Sequence, residues 1–419
     1  ASGVVTKNVT VGDSSATTVE LDFTGQMSQT AVADGYQTTL VKLGSGAMRI
    51  SAANYFPRLQ VDAGTVIVNH ANALGASRSG GYSNLVTVNG GTLDLNGFSN
   101  TIGHLAGTGG VISTGVAGTS TLSAGSAGGD TTFSGAIQNG SGTVALTKQG
   151  SGALSLSGTT SYSGGTVIEA GTINWNSNSA LGTGTVTLNN GSTGGANTRL
   201  NRNGAGTLAN NLVVANAGTG TVTIGNETGA TSVTYNGTLA LGRTTRLEAG
   251  NASGTATFNG LVSGAGGIVK RGDGTVSLTN ASNSFSGAVL VQGGTLSASS
   301  VAALGAGSTP LQLQGGTLSI SGGGSTSRGL QLVSPSNESG TVNIPSGTLT
   351  SSGAISGGSS GSTFTKAGAG TFNHTGAGTW SGNLVVGGGT FLVSGAGSIS
   401  ETGAVTVSGA TLTVNTSGQ

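Results

Sequence analysis

The acidic residues that stand closest together in this sequence are Glu20 and Asp22, two positions apart in a stretch with strand-like alternation. Alternate residues of a strand point to the same face, so the two carboxylates are expected side by side. Paired carboxylates with a suitable separation hydrolyse glycosidic bonds. However, the 13 acidic residues of the chain are otherwise scattered. A solvated face is therefore preferred over a hydrolase pair or a loose cation site.

Histidines and glycine-flanked aspartates could in principle hold a metal ion. His70, His104 and His374 fall at unrelated points of the sequence, which predicts neither a metal site nor a catalytic triad. Asp130 and Asp273 stand beside glycines as in calcium-binding rolls, but the full Gly-Gly-x-Gly-x-Asp pattern does not recur. Cysteine is absent. We therefore predict no catalytic residues, no metal site and no cofactor.

The strongest pattern is a motif Lys-x-Gly-x-Gly-x-apolar, which is followed by an aromatic residue and then, nine positions later, by a Gly-Thr pair. It occurs four times, and four of the five lysines of the chain lie in it. The lysines are Lys42, Lys148, Lys270 and Lys366; the aromatic residues are Tyr55, Tyr162, Phe285 and Trp380; the glycines of the pairs are Gly64, Gly171, Gly294 and Gly389. We interpret these twelve as structural repeat positions.

The motif residues also have functional interpretations. The lysines could bind an acidic glycan, and the aromatic residues could form a carbohydrate-stacking ladder. The preferred interpretation is structural: each lysine stem covers the apolar edge of a coil while its ammonium group reaches water or a turn carbonyl. The aromatic residues are interpreted as packing anchors.

The composition excludes several classes of protein. Gly supplies 82 of 419 residues and charged residues 6%, whereas ordinary domains have about 7% Gly and roughly 25% charged residues. With 4 Pro and no Gly-x-y period the chain is not a collagen. The net charge of +1 gives no basic field for nucleic acid. No apolar run reaches the ~20 residues of a membrane helix.

Short alternating segments closed by Gly, Asn or Ser indicate half-buried strands, and no segment has a helical period. The repetition predicts an all-β fold, a right-handed parallel β-helix (β-solenoid) of about 20 rungs without helices. We expect one continuous solenoid over residues 1–419, with repeat units at about 1–110, 111–235, 236–335 and 336–419.

The best copy of the repeat, Lys148 to Ile173, and the nearly equal copy from Lys270 to Leu296 resemble the autotransporter passenger-associated strand repeat. The resemblance implies a β-helix on a bacterial surface, often within a large adhesin or similar exported protein. The chain stops at Gln419 without a segment typical of a membrane barrel. The expectation is that a barrel was removed or never existed.

Two functions follow from these expectations. The first is a secreted structural protein, whose subunits stack end to end into a surface or biofilm-matrix filament through pairing of Val405–Val414 with Val4–Val11 of the next copy. The alternative is the passenger rod of an autotransporter adhesin without its barrel. A β-helical polysaccharide-active enzyme is a remote third. The predicted partners are further copies of the chain and cell-surface or matrix glycans, with no nucleic acid and no membrane-spanning segment; the predicted location is extracellular or on the bacterial surface.

Overall fold

Strands form where small or polar residues alternate with Val, Leu, Ile or Phe. A computed structural model describes residues 4–13, 19–27, 37–55, 58–75, 84–227, 231–333, 338–399 and 403–416. In Ala153–Leu156 and Thr275–Leu278, the apolar side chains at every second position are buried and the residues between them are partly exposed. This period of two is the signature of a sheet with one face in the core.

The strands are short, and most have three to six residues. In the first part of the chain they are β1 (Val4–Thr10), β2 (Leu21–Phe23), β3 (Gln37–Leu43), β4 (Ala47–Ile50), β5 (Arg58–Val61), β6 (Thr65–Val68), β7 (Leu85–Val88), β8 (Thr92–Asp94), β9 (Asn100–Ile102), β10 (His104–Ala106), β11 (Val111–Ser113), β12 (Thr119–Ala124), β13 (Thr131–Phe133), β14 (Ala136–Ile137), β15 (Thr143–Lys148), β16 (Ala153–Leu156), β17 (Thr166–Ile168), β18 (Gly171–Trp175), β19 (Val186–Leu188), β20 (Thr198–Asn201), β21 (Gly206–Leu208) and β22 (Leu212–Val214). In the second part they are β23 (Val222–Asn226), β24 (Ser232–Tyr235), β25 (Leu239–Leu241), β26 (Thr245–Ala249), β27 (Thr255–Phe258), β28 (Val262–Ser263), β29 (Ile268–Arg271), β30 (Thr275–Leu278), β31 (Val289–Val291), β32 (Thr295–Ala298), β33 (Leu311–Leu313), β34 (Thr317–Ile320), β35 (Gly324–Thr326), β36 (Leu330–Leu332), β37 (Gly340–Asn343), β38 (Thr348–Ser351), β39 (Ile355–Gly357), β40 (Thr363–Ala367), β41 (Thr371–His374), β42 (Asn383–Val386), β43 (Thr390–Gly395), β44 (Val405–Val407) and β45 (Thr411–Thr416).

The chain divides into two compact units. Unit 1 comprises Ala1–Asn201 and Ala209–Thr221. Its strands pair in the orders β1-β3-β5-β7-β10, β2-β4-β6-β8-β11-β14, β9-β12-β15-β17-β19-β22 and β13-β16-β18-β20. Neighbours in each order are parallel and come from successive coils of the chain. Unit 1 is thus a parallel β-solenoid.

Unit 2 comprises Arg202–Leu208 and Val222–Gln419. Its longest sheet has ten strands, in the order β21-β24-β27-β30-β32-β34-β37-β40-β42-β44. We call this the ten-stranded sheet. Beside it run β23-β26-β29-β31-β33-β36-β39 and, in the last coils, β35-β38-β41-β43-β45. Here too the neighbouring strands pair in parallel.

The predicted all-β parallel solenoid is confirmed, but the expected number of coils was too high. The chain forms about 16 turns instead of about 20. The reason is the length of the coils, which were expected to have roughly 20 residues. Coils in unit 1 are as long as the 33 residues that separate the paired residues Val4 and Gln37. The right-handed coil and the four repeat units stay predictions, and the expected boundary at 335 and 336 lies outside the described residues.

One short helix departs from the expectation of none. Val301–Leu304 forms a single turn of 3-10 helix, with Ala303 and Leu304 buried. Such turns are common as connectors because they need only one or two hydrogen bonds. Within the ranges that the structure describes, no helix has the length and apolar character needed to span a membrane.

Candidate functional site

The four motif lysines are buried inside the coils. Lys42, Lys270 and Lys366 have 0% of their surface exposed and Lys148 has 1%. Each lies at or near the end of its strand, respectively β3, β29, β40 and β15. Lysine is almost never fully buried unless its ammonium group is satisfied. The contacts of Nζ therefore decide what these residues do.

Each Nζ donates three hydrogen bonds to backbone carbonyl oxygens. Two acceptors are the next two residues of the same corner, and the third lies one coil further along the chain. The contacts are Lys42 to Leu43 (2.9 Å), Gly44 (2.7 Å) and Ala63 (3.1 Å); Lys148 to Gln149 (2.6 Å), Gly150 (2.8 Å) and Ala170 (3.2 Å); Lys270 to Arg271 (3.0 Å), Gly272 (2.6 Å) and Gly293 (3.1 Å); and Lys366 to Ala367 (2.8 Å), Gly368 (2.8 Å) and Gly388 (3.0 Å). We call each set a lysine cage.

A lysine cage is chemically complete without a carboxylate. An ammonium group has three donors, and the cage supplies three acceptors. Burial nevertheless disfavours the charge and lowers the pKa of Lys148 to about 8, although Asp130 opposes this shift. The pKa of Lys270 is likewise lowered to about 8, against the effect of Asp273 and Glu248. The arrangement joins the ends of two successive coils and leaves no lysine charge for an acidic glycan at these sites.

Glycines shape the corners that surround each cage. Gly44, which supplies one acceptor, has φ of 75°. Gly64, from the Gly-Thr pair, has φ of 64°, and a Cβ there would lie 2.6 Å from Lys42 Nζ. At Gly294 φ is 52°, and a Cβ would lie 2.5 Å from the carbonyl oxygen of Gly272. Only glycine combines this left-handed backbone with such close packing between coils.

Three of the four motif aromatic residues are buried. Tyr162 and Phe285 are 0% exposed and Trp380 is 1% exposed. The Tyr162 hydroxyl lies 2.6 Å from Thr166 Oγ1, and burial raises the pKa of the phenol. Tyr55 is only half-buried. Rings that are enclosed by the solenoid cannot stack on a sugar, so Tyr162, Phe285 and Trp380 do not form a carbohydrate ladder.

The acidic candidates are engaged in backbone and side-chain contacts near the start of unit 1. Glu20 precedes β2 instead of sharing its face with Asp22, and its Oε2 accepts from the Ala47 amide at 2.6 Å. Asp22 accepts from Ser51 Oγ at 2.7 Å and forms an ion pair with Arg49 at 3.8 Å. These contacts stabilise coil packing, and they do not form a pair of catalytic carboxylates.

The structure leaves the three histidines in separate surroundings. His70 Nδ1 accepts from the Asn72 amide at 3.0 Å, and His104 Nε2 accepts from the Gly129 amide at 3.1 Å. His374 is 0% exposed and lies among aromatic rings. Asp130, a candidate calcium ligand, accepts from the Ala153 amide at 2.7 Å. In the described part of the chain, no three His, Asp or Glu side chains come together as a metal site would require.

Two buried groups were not predicted from the sequence. Arg328 is 8% exposed, and its guanidinium donates to the carbonyl oxygens of Thr309 and Leu304, each at 2.9 Å. It has no Lys-x-Gly-x-Gly pattern around it, so no sequence signal pointed to it. The second is His374, whose ring lies 6.2 Å from the ring of Phe372 and 6.4 Å from that of Phe391. The sequence did contain a signal for the burial of His374, because it stands two positions after Phe372 on one strand and therefore on the same inward face.

Parallel coils joined by repeated lysine cages define a β-solenoid repeat protein. The family described as passenger-associated-transport-repeat matches residues 146–174, 268–298 and 364–393. Each of these ranges contains one cage lysine, namely Lys148, Lys270 or Lys366. In these three ranges the chain is similar to that repeat family. Lys42 lies outside the matched ranges, yet it makes the same three contacts, so the geometry identifies a further copy of the cage.

A curated relative is similar to part of the chain. Over 149 residues the chain is 35% identical to the BmaC autotransporter adhesin of Brucella suis biovar 1 (strain 1330). The alignment covers 34% of this chain and 4% of the length of that adhesin. No solved structure matches the chain significantly.

Proposed function

We propose that this chain is part of the surface-exposed passenger of an autotransporter adhesin and acts as a non-catalytic, coil-stacked support for adhesion. The observation that carries the proposal is the lysine cage. Three cages coincide with the three ranges of the passenger-repeat family. A relative named as an autotransporter adhesin is similar over about a third of the chain.

The cages suit a support better than a catalyst. Each one ties the carbonyl groups of one corner to a carbonyl of the following coil, for example Gln149 and Gly150 to Ala170 through Lys148. Solenoid stability is largely a sum of such contacts between neighbouring repeats. The cage is closed, since all three donors of Nζ are used. Its contribution is to hold coils in register while the outward side chains remain free to meet other molecules.

The test is the accessibility of this chain on intact cells that make the parent protein. An antibody raised against residues 84–227 is expected to label unpermeabilised cells, and deletion of the coding segment is expected to reduce attachment to the natural surface. A matched control strain carries a passenger-repeat segment from another protein at the same place. It distinguishes a direct role of this chain in adhesion from a role as a spacer of the right length. Labelling that requires permeabilisation would contradict a surface passenger.

End-to-end stacking into a filament is the second candidate, and the last described coil is where it can be tested. In the last described coil, Val405, Val407 and Val414 are 46%, 44% and 56% exposed. A strand added beside β44 and β45, from the same chain or from another copy, would cover them through main-chain hydrogen bonds. Pro at Val407 and Leu412 removes backbone donors from these strands. Fibres of wild-type length from this double variant, seen by electron microscopy, would exclude stacking through this coil.

A further inference from the structure

The outer face of the ten-stranded sheet in unit 2 carries an unbroken column of threonines. In-register pairing connects residues of β27, β30, β32, β34, β37 and β40 at equivalent positions. The column consists of Thr255, Thr275, Thr295, Thr317, Thr341 and Thr365. All six are partly exposed, while the residue that follows each is buried: Ala256, Val276, Leu296, Leu318, Val342 and the cage lysine Lys366. One threonine thus faces outward on each of six successive coils.

A second column runs beside the first, two residues further along each strand. It consists of Thr234, Thr257, Ser277, Ser297, Ser319 and Asn343. Strands in a sheet lie about 4.8 Å apart, and residues i and i+2 lie about 6.6 Å apart along a strand. The two columns therefore form a two-dimensional lattice of short polar side chains, all of them partly exposed except Ser319, which is buried. We call this lattice the threonine face.

The hydroxyl groups of the first column lack partners within the protein. Among the described residues, none donates to or accepts from the Oγ1 atoms of these six threonines. The polar side chains at one neighbouring corner are instead hydrogen-bonded to each other. At a neighbouring corner Asn259 Nδ2 donates to Asn236 Oδ1 at 2.9 Å, and Thr279 Oγ1 donates to Asn259 Oδ1 at 2.9 Å. The first column thus keeps its hydrogen-bonding capacity for what lies outside the protein, whereas in the second column Asn343 Nδ2 donates to Ser319 Oγ at 2.9 Å.

The charge and the chemistry of the face limit what it could bind. Neither column contains Asp, Glu, Lys or Arg between β24 and β40, so charge complementarity favours a neutral partner. Sugar-binding surfaces usually add aromatic rings, but Phe285 and Trp380 are enclosed in the core. What remains is a regular array of methyl and hydroxyl groups. The in-register strands hold this array rigidly, and the array orders the water above it. The entropic cost of ordering these side chains and this water is therefore not incurred again when a partner binds.

We propose that the threonine face binds ice. The strand spacing of about 4.8 Å is close to the oxygen repeat in hexagonal ice, so water molecules held by successive threonines would continue into the crystal lattice. The methyl groups would fill the spaces between them. The proposal goes beyond adhesion in general, because it assigns a neutral crystalline surface to one named sheet face. The ice-binding proposal is tested independently of the proposal that the chain lies on the cell surface.

The experiment measures ice-recrystallisation inhibition and thermal hysteresis by the purified 419-residue chain. The wild-type chain is expected to inhibit recrystallisation and to shape ice crystals. The variant Thr295→Lys/Thr317→Lys places charges in the centre of the face. Its activity is expected to fall by about tenfold, which corresponds to about 1.4 kcal/mol of lost affinity. Thr295→Val/Thr317→Val, which keeps the shape and removes only the hydroxyls, tests the same contacts without new charge.

A matched control lies on another outer face of unit 2. Gln312 and Gln331 are partly exposed neighbours on β33 and β36, and Gln312 Nε2 donates to Gln331 Oε1 at 3.1 Å. Gln312→Lys/Gln331→Lys adds the same charge and is expected to keep wild-type ice activity. Circular dichroism confirms that the variants are folded. Absence of ice activity in the wild-type chain, equal loss in both lysine variants, or binding to insoluble glucan without any effect on ice would overturn the proposal.

Discussion

Units 1 and 2 use the same inward construction and differ in what they present outward. The Lys148 cage of unit 1 and the Lys366 cage of unit 2 have contact lengths of 2.6–3.2 Å and 2.8–3.0 Å. On the outer side of β4, β6, β8 and β11, however, successive paired residues are Arg49, Ile67, Asp94 and Ser113. The corresponding row in unit 2 consists of Thr257, Ser277, Ser297, Ser319 and Asn343. Inward residues are constrained by the fold, whereas outward residues are free to acquire a function.

The coils of the two units also differ in regularity. In unit 1 the paired residues Ala47 and Thr65 are 18 positions apart, whereas Thr65 and Thr92 are 27 apart. In the ten-stranded sheet from β24 onward, pairs are separated by 20 to 24 residues, as in Thr275 with Thr295 and Thr317 with Thr341. Long insertions in solenoids extend from the corners and leave the strands stacked. A uniform coil is therefore a requirement for a regular outer face, not for the fold.

The largest expected effect comes from substituting the corner glycine of the repeat, which occurs in each unit. Gly294→Val places a β-branched residue at φ of 52° with its Cβ 2.7 Å from the Asp273 carbonyl carbon. We expect a loss of about 3 kcal/mol in the free energy of unfolding, or failure to fold. Gly171→Val should have a similar effect in unit 1, since φ there is 70°. Thermal denaturation followed by circular dichroism measures both.

A glycine without these constraints provides the control for the corner variants. At Gly361 no atom lies within 4 Å of the position that a Cβ would take, and the backbone is not left-handed. Gly361→Val should therefore change the stability far less than Gly294→Val, as should the surface change Glu248→Ala. Equal melting temperatures for the three variants would refute the assignment of Gly294 to a constrained corner.

Removing a cage tests whether the inward construction has the same strength in both units. Lys148→Met and Lys366→Met keep most of the side-chain volume but leave three carbonyl oxygens without their donor. An unsatisfied buried polar group costs about 1–3 kcal/mol. Part of this cost is offset because the variant no longer buries a charged ammonium group. We expect each variant to lose about 2 kcal/mol by urea denaturation. The control Lys7→Met, at an exposed position, should have little effect on the free energy of unfolding. If the unfolding constants of Lys148→Met and Lys366→Met differed tenfold, the two cages would not contribute equally to stability.

Acid is expected to weaken unit 2 through His374. Burial among Phe372 and Phe391 lowers the pKa of this imidazole, with partial opposition from backbone groups of Ala377 and Ser351. Below the ordinary histidine pKa of about 6.5, the unfolded chain binds a proton that the folded chain resists. The free energy of unfolding should therefore fall by up to about 1.4 kcal/mol per pH unit. His374→Phe should remove this part of the pH dependence, as measured by denaturation at pH 7 and below; an unchanged slope would count against it.

The last expected effect is at alkaline pH and involves one cage in each unit. The pKa values of Lys148 and Lys270 are lowered to about 8 by burial, from an ordinary value of 10.5. Between these values the unfolded chain holds protons that the folded chain has released, so the free energy of unfolding should rise with pH. A neutral amine has only two donors for three carbonyls, which reduces the gain. The difference in slope between wild type and Lys148→Met/Lys270→Met measures the effect, and no difference would argue against the lowered pKa values.

The parallel solenoid could be predicted from the sequence because its two causes are local. Alternation in segments such as Thr275–Leu278 defines the inward face, and glycines such as Gly294 define the corners. The cage could be anticipated only in part. The spacing of Lys148 and Gly150 suggested a turn carbonyl as acceptor, but the third acceptor, Ala170, belongs to the next coil. That contact depends on the register between coils.

The number of coils and the outer face depended on information that the local pattern lacks. Between Thr65 and Thr92 nothing in the sequence indicates how many residues leave the stack before the next strand joins it. For the same reason, Thr255 and Thr275 could not be recognised as neighbours until their strands were paired. Buried groups held by distant coils, such as Arg328 with Thr309 and Leu304, have no short-range signature at all.

The burial of the cages has a consequence for the reactivity of this protein. Of its five lysines, Lys7 alone is solvent-exposed, since the other four amines are enclosed. Amine-reactive aldehydes, acylating reagents and proteases that cleave after lysine need an accessible side chain, which the folded coils withhold at 42, 148, 270 and 366. An unfolded copy would expose all of them at once. Lysine-directed digestion thus distinguishes intact from damaged molecules, and the intact ones persist.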